Sequence, residues 1–231
     1  ILVDVGTAQQ RTGNALEAMR CANQVITLAE KAGLSYPLSW GYYLKATLLG
    51  SQGFDRDAIE ILHHARSHAE EHGFRPLLVK IERTLGVFYQ QAGRYAESLE
   101  HYGISLALAR DLGLVKEEAE ILHNRAVTYS AMGRNREGIL DIEQAGVLWR
   151  ESGDELGRAR NMYQLAFSLA YEDGGDLDRV FGLALQALEI FQRHNSLGWT
   201  ASVHGLLGYA YWLKKESDKA IEACQAAIPV Y

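Results

Sequence analysis

From Leu85 to Leu99 the chain reads Leu85-Gly86-Val87-Phe88-Tyr89-Gln90-Gln91-Ala92-Gly93-Arg94-Tyr95-Ala96-Glu97-Ser98-Leu99. Gly93 separates two apolar patterns. Leu78, Ile81, Leu85, Phe88 and Tyr89 precede it; Tyr95, Leu99, Tyr102, Leu106 and Ala109 follow it. Both sets keep the i, i+3, i+4, i+7 spacing that places apolar side chains on one face of a helix. Glycine just past a helix end takes the left-handed conformation that stops it. Gly93 therefore ends one helix and Gly113 the next. The pair reads as a helical hairpin, helix A then helix B.

Outward from this hairpin the pattern repeats every forty residues. Gly13, Gly53, Gly93 and Gly133 keep that step, as do Gly33, Gly73, Gly113 and Gly153. A third column stays small: Gly6, Ala46, Gly86, Ala126 and Ala166. Six residues after the A–B turn come Met19, Ile59, Leu99, Ile139, Phe181 and Ile221, all apolar. Pro37 and Pro76 fall shortly after Gly33 and Gly73, where a helix can begin. One hairpin cannot bury both its faces, so stability comes from stacking neighbours. Two residues are inserted around Glu172-Asp173-Gly174-Gly175, which predicts a longer turn there; Gly208 and Lys215 resume the phase. Pro229 predicts a kink or an early end to the last helix.

The stretch through Leu85-Gly86, Tyr89, Gly93-x-Tyr95 and Ala96 resembles the tetratricopeptide repeat (TPR), and the resemblance spans essentially the whole chain. The step is longer than that family's usual thirty-four residues. It is similar to the long-helix variant of bacterial signalling and regulatory proteins. The proline that ends helix B in the family is absent from most repeats here. The resemblance implies an all-α fold, a right-handed α-solenoid of antiparallel helical hairpins forming a superhelix. The expectation is one array over residues 1–231, about five full repeats with a truncated repeat at each end and A–B turns near 13, 53, 93, 133, 175 and 215. Without an initiator Met, the chain reads as part of something longer.

Composition fits such an array. The hydrophobic fraction is 48% and the charged fraction 23%, with only three prolines. No apolar run is long enough to span a bilayer, and Ile1 to Asn14 has no signal-peptide pattern. A net charge of −6 argues against direct nucleic-acid binding. Cys21 and Cys224 sit near opposite ends, which favours free thiols, a reducing compartment and a cytoplasmic location. Both thiols fall on or beside the packed face of a helix B and are expected to be small buried hydrophobes. No phosphate loop, dinucleotide fingerprint or nucleophile elbow is present, so the expectation is a non-enzyme that needs no cofactor.

The resemblance assigns function to the concave surface lined by helix A, and helical phase says which residues point there. The aromatics off the core stripe are Trp40, Tyr43, Tyr163, Phe167, Tyr209 and Trp212. Thr47, Val87, Gln90 and Val127 share those columns, and Lys80, Arg83, His123 and Arg160 add a basic middle. Aromatics and arginine dominate binding hot spots because they cover much area with few rotors. The groove is therefore expected to hold a protein or peptide segment, with acidic groups near Arg83 and Arg160. The alternative is that the aromatics pack on neighbouring helices and the cations are solvated. Function reads as a protein-binding scaffold, the interaction or sensor part of a larger protein with an effector domain outside this segment. The alternative is a regulatory arm sensing a small molecule or signalling peptide. Aromatics spread over several repeats favour an open channel rather than a closed pocket.

Three further features need weighing. Lys45 and Arg125 interrupt a core column otherwise filled by Val5, Leu85, Leu165 and Leu207. Either they snorkel, or they pair with Glu82 or another carboxylate. Glu60, His64, His68 and His72 form an i+4 stripe on a helix B that could share a metal ion. His68-Ala69-Glu70-Glu71-His72 also fits a zinc-protease pattern, but it lies at a helix end without a cleft. A solvated face is the simpler reading. The Glu117, Glu118 and Glu120 run opens a helix A, where the helix dipole favours negative charge.

Overall fold

The computed structural model describes residues 15–172 and 174–228. Every element in that range is an α-helix: α1 (Ala15–Ala32), α2 (Ser35–Ser51), α3 (Asp55–Glu71), α4 (Arg75–Gln91), α5 (Tyr95–Asp111), α6 (Val115–Ala131), α7 (Asn135–Ser152), α8 (Glu155–Ala170), α9 (Leu177–Arg193), α10 (Leu197–Leu213) and α11 (Ser217–Ala226). Even-numbered helices are the A helices of the sequence reading and odd-numbered ones the B helices. The fold is all-α, a series of antiparallel helical hairpins. The expectations for Gly6, Gly13, the truncated first repeat and Pro229 lie outside the described residues.

The glycine beat works as backbone chemistry. Gly33, Gly53, Gly73, Gly93, Gly113, Gly133 and Gly153 all have positive φ, between 63° and 82°. After α2 the amide of Phe54 donates to Leu49 O at 3.0 Å and that of Gly53 to Gly50 O at 3.0 Å. This double bond satisfies carbonyls that the helix end would otherwise leave without donors. The same six-to-one bond joins Arg94 to Tyr89 O at 2.8 Å and Arg134 to Tyr129 O at 2.9 Å. Where the beat lacks glycine the geometry persists: Asn195 has φ 51° and Lys215 φ 62°. At the insertion α8 ends at Ala170 and α9 starts at Leu177, so the turn is longer than elsewhere. Gly174 takes the left-handed slot at φ 75°. A side chain on Gly175 would collide with Leu169 O, which explains the second glycine. Asp176 then caps α9 by accepting the Arg179 amide at 3.0 Å.

The chain divides into two compact units, residues 1–117 and 118–231. In the first, α1 to α5 pack in sequence around Leu44, Leu48, Leu62, Leu77, Ile81, Leu85 and Tyr102, all at most 2% exposed. In the second, α7 to α11 pack around Ile142, Trp149, Phe191 and Val203. The small third column is fully buried at Ala46, Ala126 and Ala166, and Gly86 is buried too. Each unit also brings alternate helices into contact, α2 with α4 and α8 with α10. These A-to-A contacts position the candidate site.

The interrupted core column resolves differently at its two cations. Arg125 makes a forked ion pair with Asp141 on α7, Nε to Oδ2 at 2.6 Å and Nη2 to Oδ1 at 2.7 Å. Asp141 is buried, and the pairing holds the Arg125 guanidinium above its usual value against the opposing effect of burial. Lys45 is half-buried. Glu82 serves neither residue. It is 1% exposed, forms an ion pair with Arg66 at 2.6 Å and accepts from His101 at 2.7 Å.

Candidate functional site

In the first unit the residues expected to line the groove lie on α2 and α4. Trp40, Tyr43, Thr47, Lys80, Arg83, Val87 and Gln90 are all half-buried. Trp40 and Tyr43 rings stand 5.4 Å apart, and Tyr36 joins them, 6.5 Å from Trp40 and edge-on to Phe74 at 5.0 Å. The indole N–H of Trp40 is buried and finds no acceptor among the described residues. The Thr47 hydroxyl donates to Leu44 O at 2.8 Å, within its own helix. Lys80 faces Glu117 at 3.5 Å, so the expected cation is offset by an acid of the Glu117–Glu120 run.

In the second unit the aromatics form a connected series on α8 and α10. Tyr163 meets Phe167 at 6.3 Å, Phe167 meets Tyr171 at 4.6 Å, and Tyr171 stacks on Tyr209 at 4.6 Å. Tyr209 stacks on Trp212 at 5.8 Å, and Trp199 closes edge-on against Tyr163 at 5.6 Å. Trp212 is 63% exposed and Tyr171 51%. Tyr171, with Gly174 and Gly175 of the inserted turn, lines an open hollow of ≈ 340 Å³ shared with Tyr209. A second, more apolar hollow of ≈ 520 Å³ lies between Tyr209, Trp212, Ile221 and Cys224. Val127 is half-buried on α6.

His123 and Arg160 complete the sequence set, and His123 is not the cation expected there. Burial, reinforced by the positive charge of Arg160, lowers its pKa from 6.5 to about 4, outweighing the opposing influence of nearby Asn161. It is neutral at physiological pH. The Arg160 guanidinium carbon lies 5.9 Å from the Trp149 ring.

Models of the tetratricopeptide repeat family match residues 77–145 and 201–228. The chain is a tetratricopeptide repeat protein. No curated protein matches it. Solved structures share the fold. BtubC from P. vanneervenii is similar at 20% identity and TM-score 0.76, with 92% of this chain and 89% of that one covered. A Signal Transduction ATPase with Numerous Domains carrying a tetratricopeptide repeat sensor, from Pyrococcus horikoshii, is similar at 16% identity and TM-score 0.78. That likeness covers 99% of this chain but 36% of the other. The Rap conjugation gene regulator of plasmid pLS20, in complex with the Phr* peptide, is similar at 17% identity and TM-score 0.75. There 98% of this chain and 60% of the other are covered.

Two further TPR features differ from their sequence reading. The histidine stripe is not simply solvated. His68 stacks on Tyr42 at 6.1 Å and on His72 at 6.3 Å, and His72 stacks on Phe74 at 5.7 Å. Glu60 and His64 are exposed. Cys21 is buried as expected, but Cys224 is exposed, on the open hollow between α10 and α11. Sequence reasoning missed Tyr36, Tyr171 and Trp199. The first two stand four residues from Trp40 and Phe167, so the i+4 rule could have found them. Trp199 sits in the opening turn of α10 and follows none of the columns. No helix among the described residues is long and apolar enough to cross a membrane.

Proposed function

We propose that the A-helix face of the second unit binds a peptide segment of a partner protein. The connected aromatic series Tyr163, Phe167, Tyr171, Tyr209 and Trp212 carries this reading. These rings offer large, stiff, partly desolvated surface, and their hollows are open rather than closed, as a chain-like ligand requires. The smaller aromatic set around Trp40 and Tyr43 gives the first unit an aromatic surface of its own. Acidic groups on the partner are accommodated near Arg83 and Arg160. The pLS20 regulator, with a peptide bound on a similar fold, supports a peptide ligand. The sensor repeats of the Pyrococcus protein support a role as the recognition part of a larger regulatory protein with its own effector.

Panning a random-peptide display library on the chain tests this. Sequences enriched on the wild type should lose binding on a Tyr163→Ala, Phe167→Ala double variant whose helical circular dichroism is unchanged. Equal binding to both proteins would move the site elsewhere.

A further inference from the structure

We infer that the C-terminal turn of α3 is a binding site for a divalent transition-metal ion, with Zn²⁺ the best chemical fit, held by His68, Glu71 and His72. One ligand atom from each lies within 4.8 Å of the other two. Ligands of a tetrahedral zinc ion stand roughly 3.3–3.6 Å apart, given metal–ligand lengths of about 2.0–2.2 Å. Glu71 is exposed, so its carboxylate can rotate to close that difference around the two imidazoles.

Three observations separate this group from an ordinary helical stripe. First, the tautomer of His72 is set. Its Nδ1–H donates to the His68 carbonyl at 2.9 Å, which leaves Nε2 with its lone pair free to accept. A metal-binding imidazole is held this way, its other ring nitrogen donating to a backbone carbonyl. Nε2 now accepts from the Ser35 hydroxyl at 2.9 Å, an oxygen placed to move into the outer shell or act as a fourth donor. Second, the rings are ordered before any ion arrives. Tyr42, His68, His72 and Phe74 form one stacked column, so little rotamer freedom remains to be lost. Third, the group caps the carboxyl end of a helix, where the backbone dipole favours positive charge. Two imidazoles and a carboxylate suit zinc rather than magnesium or calcium. At an exposed helix end the ion would be structural. It would fasten the end of α3 to Ser35 at the start of α2, within the first unit.

Calorimetric titration of the tag-free protein with Zn²⁺ alone tests the site. One ion per chain is expected. His72→Ala and Glu71→Gln should each weaken binding by at least about tenfold, as loss of even an outer partner of a metal ligand does. His64→Ala, one turn away on the same stripe, should leave binding unchanged. Glu71 is exposed, so its variant tests the site even if His72→Ala disturbs the local stack. Absence of stoichiometric heat in the wild type overturns the proposal. So does equal weakening by His64→Ala, which would mean scattered imidazoles and no built site.

Discussion

Gly86 is small because Tyr102 fills the space beside it. A Cβ there would stand 2.6 Å from the Tyr102 ring, and Tyr102 is fully buried. One repeat earlier the same two columns read Ala46 and Leu62, and one repeat later Ala126 and Ile142. Overpacking costs about 1–3 kcal/mol, and replacing a mid-helix glycine by alanine returns about 1 kcal/mol. Gly86→Ala should therefore cost a net ~1 kcal/mol in urea unfolding, yet stabilise a Tyr102→Leu protein. A loss in both backgrounds would show that the close contact is not the cause. His123 allows a test by pH. Its folded pKa is about 4 against 6.5 for the free group, so the unfolded chain binds a proton over that interval and the native one does not. Its contribution is whole above about pH 6.5 and is lost as pH falls toward 4, a total of about 3 kcal/mol. Unfolding measured at pH 7.5 and 4.5 should show a smaller acid loss in His123→Gln than in the wild type. An unchanged loss would mean that this imidazole is not held neutral.

At the scale of elements, most helices run directly into a left-handed residue, and the sequence varies in how well it suits that turn. Glycine reaches positive φ without strain, whereas Lys215 holds φ 62° with a Cβ in place. An L-residue in that region costs about 1–2 kcal/mol. Lys215→Gly should raise stability by about 1 kcal/mol, seen as a higher melting temperature, and Lys215→Ala should not. A fall with Lys215→Gly would mean that the lysine side chain contributes more than its backbone costs. The forty-residue period made these turns legible in the sequence, down to the longer link at Gly174. It could not reveal the partner of Arg125. Asp141 lies sixteen residues away on the next helix, and only packing turns it inward to be buried.

At the scale of the whole molecule, both units present helix-A aromatics outside their cores. The second unit connects them through Tyr171 and the inserted turn. Trp212, 63% exposed, separates binding from folding. Trp212→Ala should change unfolding stability by no more than about 0.5 kcal/mol, as surface substitutions do. It should also weaken any peptide selected on the wild type. A stability loss well beyond that would mark Trp212 as packing rather than recognition. Helical phase set Trp40, Tyr163, Phe167 and Trp212 off the core stripe; Trp212 is exposed, while the other three are half-buried and pack against the edges of their cores. It also placed His123 among the cations, which burial beside Arg160 prevents.

The sequence by itself determined the period, the helix ends and the small buried column. Those follow from backbone sterics and helical phase, which act within a few residues. Tertiary structure alone decided which aromatic rings touch, which cations are offset, that Cys224 lies exposed while Cys21 is buried, and that His68, Glu71 and His72 converge beside Ser35. Each of these depends on which side chains from different helices share a volume, and so on dielectric, exposure and distance that no single helix contains.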